Sequence, residues 1–129
     1  MGCGKNIFVT DRPGVIYEGH SHNTGVHKAR YAQETKLRTL EEALKGADIF
    51  LGLSTGGILS PPVVADKAKD PLILALANPV PEILPEAVQE VRSDAIIATG
   101  RSDYPNQVNN VLCFPFILFA ALWTSVQRV

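Results

Sequence analysis

An acidic residue that follows a short apolar segment is the first candidate for ligand binding in this sequence. Asp11 comes directly after residues 6–10, which read NIFVT and predict a strand. In a doubly wound nucleotide-binding sheet, an acidic residue at the end of the second strand accepts hydrogen bonds from both ribose hydroxyls of the adenosine half. Residues 11–14 are equally an ordinary turn sequence, so both interpretations of Asp11 stay open.

Two further polar loops follow apolar segments at 47–53 and 72–77. The first loop consists of small residues that let a ligand approach the backbone closely, although a plain turn explains its glycines equally well. Its members are Ser54, Thr55, Gly56 and Gly57. The second loop begins with Asn78, which prolines at 79 and 81 bracket. A rigid loop of this kind can hold the Asn78 amide in one orientation for a carboxylate or carboxamide ligand.

Four amide side chains follow the polar turn at residues 99–104. They are Asn106, Gln107, Asn109 and Asn110. We predict that they lie in the first turns of a long helix, where free N–H groups and the positive dipole end favour an anionic ligand. Because Asn is a mediocre helix former, ligand contact is one explanation for these amides. Ordinary capping and surface exposure are the other.

Composition restricts the class of protein. A length of 129 residues suits one domain, and a net charge of −1 gives no electrostatic case for binding nucleic acid or an anionic membrane. Cys3 and Cys113 have neither disulfide-framework nor metal-site spacing, which favours a cytoplasmic location. No signal peptide is evident, and the apolar segment 111–123 is too short to span a bilayer, so we expect a buried helix kinked at Pro115.

Strand and helix signals alternate along the chain. A capping box at Thr39 predicts a helix that Gly46 ends, a Ser60-Pro61 pair predicts a helix to about Lys69, and Pro85 begins another. The segment 47–53 predicts a strand covered on both faces. This alternation predicts a parallel α/β sheet with the candidate residues at its carboxyl edge, where such sheets bind ligands.

The sequence resembles the nicotinamide-cofactor domain of bacterial malic enzymes over about residues 6–117. The similarity is carried by NIFVTDRPGVIYEG, RTLEEALKGADIFLGLS, LILALANPVPEILPE and, most specifically, ATGRSDYPNQVNNVLCFP at 98–115. The resemblance implies a Rossmann-like fold that binds NAD or NADP. The intact family oxidises malate and decarboxylates the product to pyruvate with a divalent metal ion.

The resemblance also implies roles for individual residues. Asp11 would contact the adenosine ribose, and Asn109 would have a less specific cofactor role. Asn78 and Asn110 match amides that contact substrate or nicotinamide, and Arg101 is a positioning residue. The loop near the dinucleotide would comprise Ser54, Thr55, Gly56 and Gly57. Asp11 favours NAD by repelling a 2′-phosphate, whereas Arg12 could receive one, so the choice between NAD and NADP stays open.

Several features of the family are missing from the sequence. These are the first strand with its GxGxxG turn, the catalytic tyrosine and lysine, and the acidic metal ligands. We therefore expect residues 1–129 to be a single partial dinucleotide-binding domain without catalytic residues or a metal site, inactive alone. A missing first strand exposes strand edges, which predicts a homo-oligomer. The alternative is a free-standing interaction or regulatory module that self-associates.

Overall fold

The computed structural model describes residues 6–19 and 26–108 of the chain. The chain divides into two compact units, Met1–Lys45 and Gly46–Val129. Whether residues 1–129 act as a single partial domain stays a prediction. No helix among the described residues is long and apolar enough to cross a membrane.

The first unit begins with a tight antiparallel pair. Strands β1 (Thr10–Asp11) and β2 (Gly14–Val15) pair with Thr10 opposite Val15. The strand predicted at 6–10 is therefore wrong in extent, because only its last residue is in β1. A parallel partner was expected, but the turn at residues 12–13 reverses the chain at once and pairs it with itself.

Two helices complete the first unit, α1 (Val26–Ala29) and α2 (Leu40–Leu44). The capping box of α2 is confirmed. The Thr39 hydroxyl accepts from the Glu42 amide at 3.2 Å, and the Glu42 carboxylate accepts from the Thr39 amide at 3.1 Å. The predicted end is also confirmed, because Gly46 follows the cap residue Lys45 with a φ of +70° that favours glycine.

The second unit is a parallel sheet with connecting helices, which confirms the predicted α/β class. Its strands lie side by side in the order β3, β4, β5, and each pair is parallel. In chain order the elements are β3 (Ile49–Gly52), α3 (Pro61–Ala65), β4 (Leu72–Ala75), α4 (Pro85–Val91) and β5 (Ile96–Thr99). The proline starts of both helices agree with the sequence, since proline lacks the N–H that a first turn leaves unpaired.

Helix α3 is shorter than predicted. It ends at Ala65 rather than near Lys69. The Ala68 amide donates to the Ala47 carbonyl at 3.2 Å, so the chain here pairs with the segment before β3 and leaves the helical hydrogen-bond pattern. Helix propensity did not reveal this tertiary bond.

The sheet buries one face. Phe50, Ile73 and Ile97 lie opposite one another in the three strands and are each at most 6% exposed. The other face keeps large aliphatic side chains exposed, and we call it the open sheet face: Ile49, Leu51, Leu53 and Ile96, each 50–61% exposed. The expectation that segment 47–53 is covered on both faces is therefore wrong for the described residues.

Candidate ligand-binding site at the carboxyl ends of the strands

An open cleft of about 600 Å³ lies where β4 and β5 end. We call it the strand-end cleft. It brings together Asn78 and Arg101, which the sequence had singled out separately. Its lining residues are Asn78, Pro79, Val80, Gly100, Arg101, Ser102, Asp103 and Gln107. Guanidinium, amide and hydroxyl groups share this cleft, and these donors suit a ligand that carries a carboxylate or carboxamide.

A forked ion pair occupies one side of the cleft. Arg101 donates to Asp103 through Nε at 2.8 Å and through Nη2 at 2.5 Å. The hydrogen bond from Arg101 lowers the pKa of Asp103, so this carboxylate is ionised near neutral pH. A ligand carboxylate would therefore compete with Asp103 for the guanidinium. Beside the pair, the Tyr104 hydroxyl donates to Glu86 at 2.8 Å, which raises the pKa of Tyr104.

The segment between Thr99 and Val108 is an irregular turn rather than a helix. The Thr99 amide donates to the Asn106 carbonyl at 3.2 Å, and the Val108 amide donates to the Thr99 carbonyl at 2.8 Å. The predicted helix therefore does not include Asn106 or Gln107, because their backbone pairs with Thr99 in a parallel bridge. The Asn106 side chain donates to the Ile97 carbonyl at 3.1 Å and holds the turn.

Of the three other amide residues in this group, the structure describes only Gln107. Gln107 lines the strand-end cleft and stays a candidate for ligand contact. Asn109 and Asn110 lie outside the described residues, so their predicted roles at cofactor and substrate stay predictions.

The small-residue loop after β3 packs against the loop that follows β4. A Cβ atom at Gly56 would lie 2.5 Å from the Val80 carbonyl oxygen, and the Gly57 amide donates to the Pro81 carbonyl at 3.0 Å. Contact with the neighbouring loop is thus a structural reason for the small size of Gly56. Ser54 and Thr55 are exposed beside it and stay candidates for cofactor contact.

A buried glutamate joins these two loops, and the sequence analysis did not identify it. Glu82 is fully buried, and its Oε1 and Oε2 accept hydrogen bonds from the Ser54 and Ala77 amides, each at 3.0 Å. Its carboxylate lies against Gly52, where a Cβ atom would be 2.5 Å from Oε1. The available signal was Gly52 itself, because glycine inside a strand often marks a close approach.

Asp11 belongs to the first unit, where both of its carboxylate oxygens already have donors. Oδ2 forms an ion pair with Lys28, and Oδ1 accepts from the Arg12 amide at 2.8 Å. The hydrogen bond from Lys28 is the main cause that lowers the pKa of Asp11. A ribose would therefore meet an ionised carboxylate with two cationic neighbours.

The described residues do not fit a metal ion. Across 6–19 and 26–108, no three His, Cys, Asp or Glu side chains are grouped closely enough to bind one.

Comparison with known proteins places the sequence and fold of this chain in a family. Residues 2–129 match the family model described as malic enzyme, NAD binding domain. The NAD-dependent malic enzyme of Rhizobium meliloti is 54% identical over 97% of the chain and 16% of that protein. The NADP-dependent malic enzyme of Salmonella typhimurium is 59% identical over 95% of the chain and likewise 16% of its own length.

A solved structure agrees with the fold. The NAD-dependent malic enzyme of Thermotoga maritima superimposes with a TM-score of 0.72 at 46% identity, covering 84% of this chain and 30% of that one. The chain therefore spans about a sixth of the two curated relatives and less than a third of the solved structure.

Proposed function

The chain belongs to the malic enzyme family through its NAD-binding domain, and on that premise we propose that it binds a nicotinamide dinucleotide at the carboxyl ends of its strands. The strand-end cleft is the observation that carries the proposal, because it gathers polar donors where parallel sheets bind ligands. Asn78 and Arg101 contribute an amide and a guanidinium to a carboxamide or carboxylate group there. Ser54, Thr55 and Gly57 supply an exposed loop for the dinucleotide.

In a whole malic enzyme this part would serve the oxidation and decarboxylation of malate to pyruvate. We assign to residues 1–129 the binding of the cofactor and the orientation of the ligand's polar groups. When bound, the dinucleotide supplies the hydride acceptor. We propose that the chain alone does not turn over malate, and that it works in the cytoplasm.

Calorimetric titration of the chain with NAD and with NADP tests the binding proposal. We expect saturable heat with at least one cofactor. Asp11→Asn should weaken NAD binding about tenfold, because a neutral amide is a poorer acceptor for two ribose hydroxyls. The same change should favour NADP over NAD, since it removes a negative charge that repels a 2′-phosphate.

The matched control is Asp66→Asn, which removes an exposed carboxylate at the end of α3, away from the strand-end cleft. It should leave both affinities unchanged. Absence of heat with either cofactor at millimolar concentration would contradict the proposal, as would equal effects of the two aspartate substitutions.

The open sheet face favours a second candidate function, self-association of an α/β interaction module. Ile49 and Leu51 on β3, Leu53 just after it and Ile96 on β5 each expose half or more of their surface, and β4 lies between the two strands. A contiguous apolar surface of this kind is typical of protein interfaces. Light scattering at micromolar concentration should then give a mass above that of one chain, and a monomer mass would exclude this function.

A further inference from the structure

We propose that Glu82 is a positioning residue that fixes the loop after β3 relative to the loop after β4. The expected effect of Glu82 on cofactor binding rests on the proposed function. The positioning of the two loops by Glu82 rests only on the contacts of Glu82.

The carboxylate of Glu82 contacts one amide at each strand end. Oε1 accepts from Ser54, two residues after β3, and Oε2 accepts from Ala77, two residues after β4. Both bonds are 3.0 Å long and the side chain is fully buried. Since each oxygen takes one N–H from a different strand end, a shift of either loop would lengthen one bond.

The surrounding backbone is arranged for this carboxylate. Gly52 is the last residue of β3 and its φ is outside the left-handed region, so the backbone there does not require glycine. What requires it is the Glu82 carboxylate, which occupies the space of a Cβ atom. The Glu82 carbonyl also accepts from the Leu59 amide at 3.0 Å, so residue 82 pairs with the β3 loop through backbone and side chain together.

The consequence concerns Ser54 and Asn78. Ser54 bonds to Glu82 directly, and Asn78 follows Ala77, the other bonded residue. One buried side chain therefore fixes the positions of both the exposed small-residue loop and Asn78 in the strand-end cleft. Glu82 acts through these residues and does not itself line the strand-end cleft.

Amide hydrogen exchange by NMR on the full chain tests the proposal, with Glu82→Gln as the first variant. Glutamine keeps one acceptor oxygen, and its NH2 group faces the other N–H, so one of the two bonds is lost. We expect exchange at the Ser54 or Ala77 amide to quicken at least about tenfold, while the core amides of Ile73 and Val88 keep their protection. Glu90→Gln makes the same chemical change on the exposed surface of α4 and should change neither.

Gly52→Ala is the second variant and leaves Glu82 in place. Its Cβ atom displaces the carboxylate, so exchange should quicken at both Ser54 and Ala77. This variant decides the question if Glu82→Gln does not fold. Uniformly faster exchange across the sheet would mean that Glu82 only stabilises the fold, and unchanged exchange at both amides would also overturn the proposal.

Cofactor titration of the same variants separates the two proposals. If the unaltered chain binds NAD or NADP, each variant should weaken that binding at least about tenfold with the core intact. Unchanged affinity together with faster loop exchange would overturn the positioning role. If the unaltered chain binds neither cofactor, the proposed function fails, and the exchange pattern alone decides whether Glu82 sets the loops.

Discussion

Two independent features of the structure require glycine at position 14. Its φ is +117°, which L side chains rarely adopt, and a Cβ atom there would overlap the Arg38 carbonyl. We expect Gly14→Ala to lower the free energy of unfolding by about 2–4 kcal/mol, since strain and overlap add. Chemical denaturation monitored by circular dichroism measures this value.

Gly19→Ala is the matched control for Gly14. Gly19 has a φ of +82° but nothing within 4 Å of a Cβ position. Only the backbone strain of about 1–2 kcal/mol should appear. Equal losses in both variants would show that the Arg38 contact contributes nothing.

Lys67 is a buried cation whose Nζ has no hydrogen-bond partner among the described residues. Burial lowers its pKa, the nearby Arg92 lowers it further, and Asp48 opposes both. Lys67→Met should raise the free energy of unfolding at pH 7 by about 1–2 kcal/mol, because it replaces the buried, unpaired amine with an apolar side chain of similar shape. Lys69→Met, on a side chain that is 90% exposed, should change it by less than about 0.5 kcal/mol.

The lowered pKa of Lys67 also fixes the sign of a pH effect. Burial disfavours the charged Lys67 amine in the folded chain and so lowers the stability of the fold. This loss of stability is complete below the pKa of Lys67 in the folded chain, and it disappears as pH rises through the ordinary lysine pKa of 10.5. Thermal melts should therefore show alkaline stabilisation in the unaltered chain that Lys67→Met lacks. The same alkaline rise in both proteins would contradict this assignment.

Sequence reasoning singled out some residues of the strand-end cleft and not others, for identifiable reasons. Asn78 was singled out because it follows an apolar segment, and Arg101 through the family resemblance; both line the cleft, and their roles in binding stay predictions. Glu82 was missed because a buried carboxylate satisfied by distant amides has no local pattern. Asn106 was interpreted as a helix residue because its bond to Ile97 depends on the fold.

At the scale of elements, Arg92 and Asp94 join the ends of α3 and α4. The Arg92 guanidinium donates to Asp94, to the carbonyl of Ala65 at the end of α3, and to the carbonyls of Lys67 and Ala68 just after it. These carbonyls lack helical partners, so the side chain caps the end of α3. The hydrogen bond from Arg92 holds the pKa of Asp94 well below its usual value of 3.8.

This pair predicts an acid-sensitive contribution to stability. Because the folded pKa of Asp94 is depressed, its contribution is complete above about pH 4 and is lost as pH falls toward the folded value. The Asp94→Asn variant should be less stable than the unaltered chain at pH 7. As pH falls, its free energy of unfolding should decrease less steeply, because the variant takes up as much as about one proton fewer on unfolding. Denaturation midpoints from pH 2 to 7 measure this, and an unchanged acid slope would contradict it.

Element boundaries were predicted where the signal is local. The capping box of α2 and the proline starts of α3 and α4 depend on a few adjacent residues, and all three are confirmed. The end of α3 depends on a bond to the distant segment before β3, and there the prediction was wrong. The pairing of β1 is local, because the turn at residues 12–13 joins it directly to β2, and the predicted parallel partner was wrong there as well.

At the scale of the whole molecule, the open sheet face makes self-association testable by mutation. Leu51→Lys places a charge on this face and should weaken a dimer at least about tenfold, since burying an unpaired charge is costly. Val91→Lys, on an exposed residue of α4, should leave association unchanged. Analytical ultracentrifugation measures the dissociation constant. Equal association of both variants with the unaltered chain would exclude this face as the interface.

The contact between Gly52 and Glu82 constrains the order in which substitutions can accumulate. A larger residue at position 52 is harmful while the glutamate occupies its space, and becomes tolerable once residue 82 is small. A double-mutant cycle of Gly52→Ala and Glu82→Ser should therefore show effects that are far from additive. We therefore expect related proteins that differ at position 52 to differ at position 82 as well. The contact between the two loops thus also restricts which sequences can evolve from one another by single substitutions.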